Sequence, residues 1–273
     1  MILKKTLVSN AIDKFYSEAS EEKRLTLGLG PLELERNKEL ILRYLPKRKS
    51  VIIDVGGGPG IYAHWLAGLG HAVYLVDPVA KHIAQAKKRA GKLKKFDCIQ
   101  GEAQHLKLPA AMADIVILHG PLYHLQAKES RINAILEAKR VLKKGGIILG
   151  FAINNAASAI AGLVNGFIHD AAFFKMCKTE LLSGLHNPSE QWPGLLPEGY
   201  FHRPEALQQE FEAAGLTCLD IIAIEGLIWL DKNYFENRAH LKKREQLMEL
   251  LRITEKQGSL LGLSPHMMIA AKK

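Results

Sequence analysis

Apolar positions along this chain follow two rhythms in turn. Short β-branched and aliphatic runs lie at 51–55, 72–76, 96–100, 114–118, 147–153, 217–224 and 266–271, and each predicts a strand. Between them the spacing becomes helical. Leu34, Ile41, Tyr44 and Leu45 mark a helix that Pro46 ends. Ile61, Trp65 and Leu69 recur at i, i+4 and i+8, and Gly70 closes that helix. Val79, Ile83, Ala86 and Ala90 form a core stripe with lysines on the opposite face. Residues 129–142 read as a helix that Lys143-Lys144-Gly145-Gly146 terminates. Pro204 opens another, carrying Leu207, Phe211 and Ala214, before Gly215. Strands alternating with helices predict an α/β fold of the Rossmann-like, doubly wound kind. Its mostly parallel seven-stranded sheet would be covered on both faces.

Residues 1–33, 154–202 and 226–262 stand outside the alternation. The middle segment is long for a connection, and such loops are usually functional. In a doubly wound fold ligands sit beyond the carboxyl ends of the strands. All three segments are therefore expected to form a largely helical lid, with Trp192–His202 as its loop portion. The lid would serve a core of 34–153, 203–225 and 263–273 within one domain, 1–273.

The strongest local signal is Val51-Ile-Ile-Asp-Val-Gly-Gly-Gly-Pro-Gly60. A strand ends in an acid and breaks into a glycine turn whose backbone can lie against a flat ligand. Gly56, Gly58 and Gly60 give Gly-x-Gly-x-Gly, with Ile61 where a dinucleotide fingerprint has its third glycine. A nicotinamide dehydrogenase is disfavoured on that spacing. Asp54 at the strand tip would repel a pyrophosphate but suits an ammonium group.

This pattern resembles motif I of the class I S-adenosylmethionine-dependent methyltransferases. Val73–Pro78 is similar to the family's second strand, with Asp77 where ribose hydroxyls are bound. Gln100-Gly101-Glu102-Ala103 looks like its adenine-site turn. Asp114–His124 looks like the fourth strand and its catalytic-face loop. Gly120-Pro-Leu-Tyr-His124, Tyr200–Glu205 and Leu260–His266 are similar to a bacterial small-molecule subgroup. The resemblance implies S-adenosyl-L-methionine as cofactor and S-adenosyl-L-homocysteine as product. It implies cofactor contacts from Asp54, Gly56, Gly57, Gly58, Asp77, Pro78, Glu102, Ala103 and His119. Arg36 either meets the cofactor carboxylate or pairs with Glu33, and Tyr16 either closes over the cofactor or packs under the lid.

Methyl transfer from a sulfonium asks mainly for alignment and exclusion of water. A base is needed only for a protonated acceptor. His124 is the first candidate, a structural hydrogen bond being the alternative. Tyr123 would orient, and His202 is a further candidate base. His64, His71, His82 and His105 read as surface or turn residues. The 11 histidines show no ligand spacing beside carboxylates, so no metal is expected.

A formal charge of +9 raises nucleic acid as a partner. No aromatic residues interleave with Lys81–Lys95 or Arg238–Arg244, so these read as solvated helix faces and nucleic acid is disfavoured. Polar interruptions in 156–174 make a membrane span a poor reading. The 3 cysteines fit no disulfide framework, and a cytoplasmic setting is expected. The expected activity is methyl transfer to a small-molecule or small-peptide acceptor. The alternatives are an RNA or protein methyltransferase and a non-catalytic cofactor-binding regulator. The oligomeric state stays open.

Overall fold

The predicted strands assemble side by side in a computed structural model, which describes residues 7–18, 21–189, 192 and 195–273. The strands are β1 Val51–Val55, β2 Ala72–Asp77, β3 Phe96–Gln100, β4 Ala113–Leu118 and β5 Leu142–Ile153. They continue with β6 Leu185–His186, β7 Gly199–Tyr200, β8 Thr217–Ala223 and β9 His266–Lys272. Seven form one sheet in the order β3-β2-β1-β4-β5-β9-β8, and β6 pairs separately with β7. The sheet is parallel from β3 to β5. Strand β9 runs antiparallel between β5 and β8. From β1 the chain winds outward to β2 and β3, then returns to place β4 on β1's other side. That reversal opens the crevice where such folds take ligands.

The apolar runs do not alternate with polar residues because both faces are covered. Ile52, Leu75, Ile117 and Leu149 pack on Leu40, Ile41 and Leu66 on one face. Ile53, Val55, Val116 and Ile148 pack on Ile135, Ala138, Leu207 and Phe211 on the other. Every residue of β4 is buried.

Lys143–Gly146 does not simply end a helix. The helix Lys128–Val141 passes directly into β5. Leu142 pairs with Ala113, the chain bulges, and pairing resumes at Ile147 with Ile115. Gly145 takes the positive φ of 78° that the bulge needs.

The three extra segments divide their roles. Residues 7–18 and 21–25 roof the cavity described below, through Leu7, Val8, Ile12, Phe15, Tyr16, Glu21, Arg24 and Leu25. The 154–202 segment folds into helices Ala157–Asn165 and Ala171–Ser183, yet among its described residues only Leu196 reaches that cavity. Pro193 and Gly194 of the expected lid loop lie outside the described residues, as do 1–6 of the first segment. The 226–262 segment gives the cavity no lining residue. Its Ile228, Tyr234, Met248 and Leu251 bury Leu32 instead. It is a brace for the Gly30–Tyr44 helix rather than part of a lid. Among the described residues no helix is long and apolar enough to cross a membrane.

Candidate active site

The carboxyl tips of β3, β2, β1, β4, β5 and the start of β9 line one continuous cavity of about 330 Å³. That volume is in the range of small-molecule sites, roughly 300–1,000 Å³. The glycine turn shapes its floor. Gly56 has φ 73°, and a Cβ there would lie 2.9 Å from the Gly120 nitrogen and 2.9 Å from Pro121 Cδ. Only glycine lets the β1 and β4 tips approach this closely. Gly58, at φ 54°, has nothing within 4 Å of where its Cβ would be, so its backbone faces open space. The helix Ile61–Gly68 begins at once, with Gly60 in the left-handed region as its cap.

Asp77 ties the next tip to this turn. One carboxylate oxygen accepts from Gly58 N–H at 2.9 Å and the other from Val79 N–H at 2.9 Å. His82 Nδ1 lies 3.1 Å from the second. His82 is thus no surface residue: it is buried and lines the cavity. His71 is buried too, with Nδ1 accepting from Ser50 N–H. A carboxylate offers about four acceptor sites, so Asp77 keeps capacity for ribose hydroxyls. Pro78, Gly101, Glu102, Ala103 and Gln104 extend the same wall past β3.

Over β1 and β4 the wall is aromatic. His119 is stacked between Tyr62 and Phe151, with ring centroids 4.4 and 4.5 Å away. Its Nδ1 lies 2.8 Å from Asp54. Nδ1–H therefore donates to the carboxylate, which leaves Nε2 as an acceptor with no partner among the described residues. Asp54 is fully buried and does not line the cavity. Its carboxylate faces His119 rather than the cavity. The physical reason is its inward pleat: a Cβ on Gly57 would lie 2.6 Å from Asp54 Oδ2.

Two other expected residues stand elsewhere. Arg36 is completely buried and bonds to Glu255 and to the Ile224 carbonyl, the latter at 3.1 Å. It faces the core with Leu32 and Leu40, one helical turn to either side. Glu33 pairs instead with Arg24, in a two-armed contact of 2.7 and 2.9 Å, and both line the cavity. His202 is completely buried, 3.3 Å from Glu210. Burial lowers its pKa against the opposing pull of Glu210. It belongs to a brace in which Arg131 bonds to Glu210 and to the Leu125 and Gln126 carbonyls. That brace fixes the turn after β4 from behind.

The turn itself, Pro121–His124, puts Tyr123 and His124 on the wall. Tyr16 Oη lies 2.8 Å from His124 Nε2, and the Tyr16 ring meets His82 edge-on at 4.8 Å. Lys81 Nζ donates to the carbonyls of Tyr16 at 3.1 Å and Ser17 at 2.8 Å. The Asn10–Glu18 helix is thus strapped to both walls. Burial lowers His124 to a pKa of about 4 and raises Tyr16 well above its usual value. Tyr16 O–H therefore donates to a neutral imidazole. At the far end stand Glu33, Glu225 and His266, with potential ligand atoms within 4.8 Å of one another. Those atoms already carry ion pairs to Arg24 and between Glu225 and His266.

The donor set fits a sulfonium nucleoside. A side-chain-free turn, an acid at the β2 tip and the β3-tip loop lie in the order that adenine, ribose and methionine portions require. Residues 53–150 match the methyltransferase domain family. The chain finds no match among curated proteins. Solved structures do resemble it. One is an S-adenosylmethionine-dependent methyltransferase from Mesorhizobium loti, at 15% identity and TM-score 0.60, over 89% of this chain and 100% of that one. Another is a possible histamine N-methyltransferase from Thermotoga maritima, at 16% and 0.58, over 96% and 98%. A geranyl diphosphate methyltransferase in complex with its substrate and sinefungin aligns at 16% and 0.54, over 92% and 82%. At such identities the likeness shows the fold. Residues 53–150 thus carry a methyltransferase domain, within the Rossmann-like fold of S-adenosylmethionine-dependent methyltransferases. S-adenosyl-L-methionine is its cofactor.

Proposed function

We propose that the chain methylates a small-molecule acceptor held over β5 and β9. The observation that carries this reading is the strap. With Tyr16 bonded across to His124 and Lys81 holding the same helix, the acceptor must fit inside the cavity. A strapped roof favours an acceptor small enough to be enclosed whole. The possible histamine and geranyl diphosphate methyltransferases among the similar structures are named for small acceptors. The cofactor supplies an activated methyl on a sulfonium.

The chain's residues divide the work as follows. The glycine turn, Asp77, Pro78, Glu102 and Ala103 hold the nucleoside. Tyr62, His119 and Phe151 wall the methionine side, and Arg24, rather than the buried Arg36, takes its carboxylate. Residues 7–18 and 21–25, with Leu196, form the lid that excludes water. Tyr123 orients the acceptor. His124 serves as the base through Tyr16: an acceptor proton passes to Tyr16 Oη while the Tyr16 proton moves to His124 Nε2.

Two expected results test these roles. Arg24→Gln weakens S-adenosylhomocysteine binding about tenfold, the worth of one charge-assisted hydrogen bond. Unchanged calorimetric affinity would remove Arg24 from the cofactor site. His124→Ala keeps that affinity within about threefold yet lowers turnover on the order of a hundredfold, as loss of a general base does. Equal loss of binding and turnover would contradict the division. For the acceptor class, labelled-methyl transfer into host extract is read after ultrafiltration. Label should pass with the small molecules, and retention with RNA or protein would overturn the reading.

A further inference from the structure

The cofactor portions are accommodated over β3, β2, β1 and β4. The β5–β9 end of the cavity remains, and its chemistry is specific. His266 begins β9 opposite Ile153, the last residue of β5. It lines the cavity. Glu225, only 1% exposed, holds it from behind. One oxygen takes His266 Nδ1–H at 2.7 Å and the other takes the His266 backbone N–H at 3.0 Å. Ser264 Oγ lies 3.1 Å from that second oxygen. His266 Nε2 makes no hydrogen bond among the described residues.

We propose that His266, fixed by Glu225, recognises the acceptor by donating Nε2–H to a carboxylate oxygen. This rests on the small-molecule reading above. The unused hydrogen-bonding capacity at this end is a donor. Both oxygens of Glu33 are taken by Arg24, and both of Glu225 are engaged by His266. The charges of Arg24 and Glu33 cancel, as do those of His266 and Glu225. Phe151, Ile153, Leu196 and Ile224 surround the position with apolar surface. The acceptor class is accordingly an alkyl or aryl carboxylic acid.

Protonation supports the geometry. Burial alone would push His266 down, but attraction to Glu225, their hydrogen bond and the nearby Glu33 outweigh it. Against the opposing effect of Arg24 the pKa stands at about 9. The charged form, and with it carboxylate affinity, persists below about pH 9. It is lost above that pH. Removing Glu225 moves this limit down toward the ordinary histidine range.

The test is calorimetric titration of the S-adenosylhomocysteine-loaded protein with aryl and alkyl carboxylates, each beside its amide and its amine. The carboxylates should bind at least about tenfold tighter than their partners. His266→Gln should erase that preference while leaving S-adenosylhomocysteine affinity unchanged. Glu225→Gln should retain the preference at pH 6 and lose it at a lower pH than the wild type. No carboxylate favoured over its amide, or a preference that survives His266→Gln, overturns the inference. Failure to load S-adenosylhomocysteine would instead strike at the proposed function.

Discussion

Gly56→Ala removes cofactor binding. The residue sits at φ 73°, where an L side chain is strained by about 1–3 kcal/mol. The added Cβ meets backbone, the Gly120 nitrogen, and the Pro121 ring, both at 2.9 Å. Neither neighbour is the far end of a flexible side chain that can swing away. The β1 and β4 tips must separate, and the floor beneath the sulfonium moves with them. We expect S-adenosylhomocysteine affinity to fall at least about a hundredfold, roughly 2.7 kcal/mol, together with a lower urea midpoint. Calorimetric binding within about threefold of wild type would show that this close approach does not shape the site.

Arg131→Met is expected to have the largest effect on stability. Its guanidinium is 1% exposed and bonds to Glu210, itself 3% exposed. It also satisfies two carbonyls of the turn after His124 and lies 3.6 Å above the Tyr200 ring. Methionine fills the space but leaves the Glu210 carboxylate buried with His202 alone. Breaking a buried pair from one side costs about 3–5 kcal/mol. Adding Glu210→Gln should restore part of this, because the stranded charge is then gone. A urea-unfolding loss below about 1 kcal/mol would show that the brace bears no weight.

The sheet was legible because its signals are local. Each strand is a short apolar run, each turn carries its glycine or proline, and Gly56, Gly58 and Asp77 lie at strand tips that sequence spacing alone locates. Tyr123 and His124 were placed by the same reasoning, since they follow the fourth strand directly. What the sequence hid comes from topology. Arg24, Glu33, Tyr62, Phe151 and His266 reach one cavity, with Glu225 behind His266, only because β9 inserts antiparallel between β5 and β8 and the Gly30–Tyr44 helix crosses above. No spacing reports that meeting. One signal was available for Arg36: Leu32, Arg36 and Leu40 recur every fourth residue, which puts the arginine on the core face. His266 opens β9, and only the antiparallel direction of that strand brings its amino end to the rim formed by the carboxyl tips of the others.

The central claim is that the β3–β4 tips hold the cofactor and leave the β5–β9 end to the acceptor. A crystal structure of the chain with S-adenosylhomocysteine tests it most directly. The account predicts adenine beside Glu102 and Ala103, ribose on Asp77, sulfur near Gly120, and no cofactor atom against His266. A nucleoside lying across His266 and Glu225, or bound away from the glycine turn, would contradict it.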